Sequence, residues 1–333
     1  MHVISFFSFK GSVGRTYLMV NAAYALAKEG AFVVVADWDL HAPGLTVMER
    51  MHRPEPESDE ENKARRNPDV RKGVLDYIQG ALHPYDDDGV PDPMTMAKPT
   101  RLGQNARKRD EEGHDSFKGD IWFIPAGRFN PTGLNKEYHD QLLNVMGHDL
   151  SDWIMEPDKS SSEPQLLVEF FCERVIEVKH PDMDNRPPDF LLIDSRTGLT
   201  EIGNLLLKAE SVNRMVLVSG FNDQNLTGLE AVIRDIQTVV GYNELSSRLS
   251  IVLSPVPQGE ERLKTERVKK FEELLGSLAR EEHGVKEFMP DAYYVPYHPH
   301  VALNEDLMVE SYPETDLAKA VFDIVGDIKR KSN

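Results

Sequence analysis

Cysteine is almost missing from this chain. One residue in 333, Cys172, carries a thiol, so no intrachain disulfide can form and no thiolate set is available to load an iron–sulfur cluster. Cys172 lies in the apolar-periodic stretch 166–178, which predicts a buried core thiol. Long apolar runs are also lacking: none reaches the roughly 18 residues that a membrane-spanning helix needs. Basic residues are in deficit, 38 Lys and Arg against 56 Asp and Glu, for a net charge of -18. Such a field repels phosphate backbones and anionic lipid surfaces, so no specific nucleic-acid partner and no stable membrane insertion are expected. The opening run, residues 2–9, has neither the basic start nor the small-residue cleavage site of a secretory signal. A cytoplasmic protein is the expectation. No Gly-x-Ser-x-Gly elbow speaks for a serine hydrolase, and no internal repeat is visible.

What is present is ordinary globular material, 40% apolar and 28% charged, in a chain long enough to build a large core without staples. Continuous apolar runs fall at 3–9, 32–36, 121–124, 190–193, 215–218, 249–253 and 293–295. Helical periodicity fills 16–29, 136–154, 164–178, 226–240, 262–282 and 317–329. Strands that are apolar throughout, alternating with helices, predict an α/β fold: a doubly wound, mostly parallel sheet of about seven strands with helices on both faces. A single domain over 1–333 is expected, with residues 52–118 a charged, partly flexible insert. Within it, 52–72 and 84–118 hold few aliphatic residues and are expected to bury little, whereas 74–82 (VLDYIQGAL) predicts a short docked helix.

The strongest local signal follows the first strand: Lys10-Gly11-Ser12-Val13-Gly14-Arg15-Thr16, then a helix. Glycines at 11 and 14 let successive N–H groups turn inward onto a phosphate chain, and the helix start adds its positive dipole end. Arg15 can reach the β- and γ-phosphates, and the Thr16 hydroxyl can ligate Mg²⁺. Tyr17 follows directly and joins the candidate cofactor-binding residues. His298 and His300 suggest a metal pair but lack Cys or acidic companions.

Lys10 ahead of those glycines resembles the signature lysine of the deviant Walker A motif in ParA/MinD-type P-loop ATPases. The likeness continues in FVVVADWDLHAPGL, with its acidic pair Asp37 and Asp39, and in DFLLIDSRTGL, a Walker B strand ending in Asp194. WFIPAG, NDQNLTG and VPYHPHVAL look like later elements of the bacterial branch that carries KGGVGRT and DSRTG sequences. The resemblance spans most of the chain outside 52–118. It implies an ATPase that uses ATP and Mg²⁺: Asp39 orients attacking water and holds the metal shell, Asp194 reaches the metal through water or Thr16, and Lys10 crosses a dimer interface to the partner's nucleotide. Lys10, Arg15 and Asp39 are then the catalytic candidates, and Thr16, Asp39 and Asp194 the metal candidates.

One position departs from the pattern. Arg15 stands where the family has lysine; it keeps the charge but is bulkier and planar, which implies slow turnover. Asn135-Lys136-Glu137-Tyr138 does not complete a guanine-reading motif and precedes the Walker B strand, so adenine is expected, near 253–257 and 296–302 with Pro296 as a contact. The function implied is a switch: ATP closes a homodimer that acts on an unidentified protein partner, in a bacterial antiphage or signalling system. Alternatives are a DNA- or cell-position partitioning ATPase, a P-loop small-molecule ligase or kinase, and a scaffold that binds ATP without hydrolysing it.

Overall fold

The computed structural model describes residues 1–51, 71–83, 89–111, 113, 117–130, 135–148, 166–198, 200–238, 247–257, 259, 261–280, 291–304 and 306–332. Among the described residues eight strands are formed: β1 (His2–Ser8), β2 (Phe32–Asp37), β3 (Lys98–Pro99), β4 (Asp120–Ile124), β5 (Phe190–Thr197), β6 (Arg214–Ser219), β7 (Leu249–Val256) and β8 (Asp291–Pro296). They make one sheet in the order β3-β4-β2-β5-β1-β6-β7-β8. The β2–β4, β2–β5, β1–β6, β6–β7 and β7–β8 pairs are parallel, and β3–β4 is antiparallel. The α/β expectation holds, with one strand more than expected. That strand is β3, two residues long and ending in Pro99, a composition tolerated at a sheet edge where one side needs no partner. Among the described residues no helix is long and apolar enough to cross a membrane.

Two compact units share the chain. The first comprises Met1–Val3, Leu26–Arg196 and Ala209–Ser211. Every residue of β2 is buried, and since side chains alternate between faces, both faces of this strand are covered. Cys172 is free and 5% exposed, and burial pushes its thiol up to about 12. The helix expected at 74–82 is present as Val74–Leu82. Its first N–H groups, on Val74 and Leu75, donate to the Pro125 and Ala126 carbonyls just past β4.

The described residues of 84–118 bury more than the sequence reading expects. They contain the helices Pro93–Met96 and Arg101–Glu111, and Met96, Ala97, Leu102, Ala106 and Phe117 are all buried. Few apolar residues are needed when those present turn inward, Met96, Leu102 and Ala106 from the two helices and Ala97 and Phe117 from beside them, and the Thr100 hydroxyl anchors the segment by donating to the Ile121 carbonyl at 2.9 Å. Residues 52–70 lie outside the described residues.

The second unit comprises Ile4–Ala25, Thr197–Lys208 and Val212–Asn333. All six residues of β6 are buried, and the Arg214 guanidinium that begins it meets Asp327 of the terminal helix Asp316–Ser332, as well as the Ser250 hydroxyl of β7. This ion pair is buried on both sides, so it fixes how that helix lies on the strands more than it adds net stability.

Candidate functional site

The candidate residues fall into two sets, one in each unit. In the second unit β1 ends at Ser8 and the helix Arg15–Lys28 begins seven residues on. The turn expected at Gly11 and Gly14 is made with positive φ at Ser12 and Gly14. Ser12 and Gly14 both have positive φ, 63° and 80°, which turns successive amides to one side. A Cβ built on Gly11 would meet nothing within 4 Å, and one on Gly14 would lie 3.5 Å from Ser254 Oγ at the end of β7. Ser12 is an L-residue in a conformation that favours glycine, a strain of a kind found at ligand-holding loops. Sequence reasoning did not anticipate it.

The loop's two cations are held from within the same unit. Lys10 Nζ donates to Gln224 Oε1 at 2.5 Å. Gln224 stands in the first turn of the helix Asp223–Gln237, whose N-cap Asn222 accepts from the Asn225 N–H. Arg15 is 6% exposed and its Nη1 donates to Ser8 Oγ at 3.5 Å. The hydroxyl of Tyr17, a residue expected at the cofactor, donates to the Asp306 carbonyl at 2.6 Å and accepts from the Met308 N–H at 3.2 Å. Pro296 ends β8, opposite Val256 of β7, and the next N–H, on Tyr297, donates to the Val256 carbonyl. The His298 and His300 rings lie 5.4 Å apart, and His300 packs on Tyr312.

In the first unit the three aspartates converge. Asp37 and Asp194 are register partners on β2 and β5 and are both fully buried, and Asp39 is 6% exposed. The Asp39 N–H donates to Asp37 Oδ1 at 3.1 Å, and Thr46 donates to Asp37 Oδ2 twice, from its N–H at 2.9 Å and its hydroxyl at 2.8 Å. Burial and then Asp194 raise the Asp37 carboxyl well above the usual carboxylate range, with the Thr46 hydrogen bonds acting against them. The adjoining His41 is held below its ordinary value by burial and by Arg196, with Asp39 opposing. Tyr138 closes the cluster by donating to the Leu40 carbonyl at 2.8 Å. The Ser195 hydroxyl, next to Asp194, is buried with no hydrogen-bond partner among the described residues. Nor does any group of three or more His, Cys, Asp and Glu side chains among the described residues form a metal-holding set.

Gln224, Ser8, Ser254, Thr46 and Tyr138 thus complete the two sets. Gln224 had a signal in the sequence through its place in NDQNLTG, and Ser254 through its place in 253–257.

No family model and no curated protein matches the chain. Solved structures do match. The MinC:MinD cell division protein complex of Aquifex aeolicus aligns over 99% of this chain and 96% of its own, at 14% identity and a TM-score of 0.55. Apo McdA of Cyanothece aligns over 98% and 99%, at 12% identity and a TM-score of 0.60. A putative plasmid partition protein of Borrelia burgdorferi, bound to AMPPNP, aligns over 99% of each chain, at 10% identity and a TM-score of 0.54. The chain therefore has the fold of the ParA/MinD-type P-loop ATPases.

Proposed function

We propose that this chain is a single-domain, ATP-binding and slowly ATP-hydrolysing switch, with 52–118 an insert in the domain, that forms a homodimer in its ATP state and acts on a partner protein in the cytoplasm. The observation that carries this reading is the loop from Lys10 to Thr16. It has two positive-φ residues and an open Gly11, and it leads into the start of a 14-residue helix. A row of inward amides at a helix N-terminus is suited to a phosphate chain. The donor set fits ATP with Mg²⁺: hydroxyl and carboxylate oxygens of Thr16, Asp39 and Asp194 are hard ligands, and Lys10 and Arg15 are phosphate cations. The AMPPNP held by the Borrelia protein and the MinC bound by MinD support the nucleotide and the protein partner.

Bound Mg²⁺–ATP supplies the phosphoryl group and the charge that screens it. The backbone of 11–16 would hold the phosphates, Lys10, now on Gln224, would be the cation for the partner's nucleotide, and Asp39, whose N–H donates to Asp37, would orient water. The likeness of the chain to KGGVGRT/DSRTG sequences supports an antiphage or signalling setting. A second reading, an ATP-bound scaffold without turnover, is favoured by Arg15, whose guanidinium is buried against Ser8.

Light scattering of the full chain with Mg²⁺–ATP and with ADP tests the switch. A doubled mass in ATP alone, lost in Lys10→Ala with ATP still bound, is expected. One mass in every nucleotide state overturns it.

A further inference from the structure

The helix Val74–Leu82 and the helix Lys136–Met146 lie side by side and run the same way. Asp76, in the first turn of one, meets Gln141, midway along the other, at 3.4 Å, and the His83 and His148 rings, just past their C-terminal ends, lie 5.1 Å apart. Neighbouring helices ordinarily meet along apolar stripes, and this pair also carries polar residues along a shared gap. Asp76, Gln79, Gly80 and His83, at i, i+3, i+4 and i+7, form one wall of a cavity of about 660 Å³. Glu137, Asp140, Gln141 and Asn144 repeat the same spacing on the other wall. Two polar stripes turned toward a shared gap leave unmet hydrogen-bonding capacity in a space within the range of about 300–1,000 Å³ that ligand sites occupy.

Charge within the cavity is divided. Arg128 is spent on Asp76 at 3.1 Å and Glu137 at 3.3 Å. Lys72 and Asp140, both exposed, have no ion-pair partner among the described residues. One free cation, one free carboxylate and the amides of Gln79 and Asn144 match a ligand with both signs of charge and several amide groups. A short peptide segment has that chemistry; a phosphate or a nucleic acid, of one sign only, does not.

The inward side of the same helices leads to the aspartates. Tyr138 donates to the carbonyl of Leu40, beside Asp39. The Ala126 N–H donates to Thr46 Oγ1, which itself donates to Asp37, while the Ala126 carbonyl accepts from Leu75.

We infer that this cavity is a second binding site, the seat of a zwitterionic peptide segment of a partner protein, and that its occupation is felt at the Asp37–Leu40 turn through Tyr138. The role of such a partner rests on the switch reading, whereas the binding itself does not.

The test uses the full chain without nucleotide and a fluorescein-labelled peptide, Glu-Ser-Gly-Arg, followed by anisotropy. Saturable binding below 1 mM is expected, weakened at least fivefold in Lys72→Gln and in Asp140→Asn and abolished in Asn144→Trp, which fills the cavity. Glu272→Gln, a charge change on another helix, should leave it unaltered. No binding at 1 mM, equal binding to the Cavity-filled variant, or equal loss in Glu272→Gln overturns the site. Because no nucleotide is present, none of these results depends on whether the chain hydrolyses ATP.

Discussion

Asp37 and Asp194 face each other as register partners on neighbouring parallel strands, β2 and β5, and neither carboxylate reaches solvent. Two buried acids this close oppose each other's ionisation, and burial is the larger cause of the raised Asp37 carboxyl. Its folded pKa therefore lies above its unfolded value. The stability it contributes is complete below the ordinary carboxylate range, near pH 4, and is lost as the pH rises through the raised folded value. Urea midpoints of wild type and Asp37→Asn, measured from about pH 4 to pH 9, should diverge in favour of the variant as pH rises. The slope can reach about 1.4 kcal/mol per pH unit. A difference that stays flat would show that Asp37 does not titrate there.

Tyr138→Phe removes the donor to Leu40, a residue with no exposed surface. An unpaired buried carbonyl costs about 1–3 kcal/mol, so urea denaturation should show a loss in that range. Phosphate release should slow as well, because Leu40 adjoins Asp39. A loss below about 0.5 kcal/mol with unchanged phosphate release would remove Tyr138 from the account.

Two glycines should respond in opposite directions to alanine. Gly228, in the helix Asp223–Gln237, packs so closely on Phe9 that an added Cβ would overlap the ring. Overpacking of this kind costs about 1–3 kcal/mol, and Phe9 precedes Lys10, so ATP binding should weaken with stability. Gly276, in the helix Glu261–Arg280, has nothing within 4 Å of a built Cβ. Gly276→Ala should gain about 0.4–1 kcal/mol by restricting the unfolded chain. Denaturant midpoints that shift the same way in both variants would contradict this packing.

Much of this was legible in the sequence, for identifiable reasons. Strands such as β2 and β6 declare themselves because both their faces are covered, which requires continuous apolar runs such as 32–36. The loop from Lys10 to Thr16 is legible because the residues that turn it are adjacent in the chain. β3 was not: two residues ending in Pro99 carry no periodic signal. The buried parts of 84–118 were hidden by charge, since Met96 and Leu102 sit among residues that an average treats as solvated. The support of the site was the least visible. Gln224 is 214 residues from Lys10 and Tyr138 is 98 from Leu40, and only the folded backbone brings such pairs into contact. Tyr17 is a further case: its place next to the loop is local, whereas the hold of Asp306 and Met308 on its hydroxyl is not.

The most direct measurement is single-turnover phosphate release from bound Mg²⁺–ATP, comparing wild type with Asp39→Ala at matched nucleotide occupancy. A residue that orients water acts in the transition state and little in the ground state. The account predicts that both proteins retain ATP, that wild type releases phosphate, and that Asp39→Ala does so about 10²-fold more slowly or worse. Equal rates in the two proteins, or a wild type that holds no ATP, would contradict it.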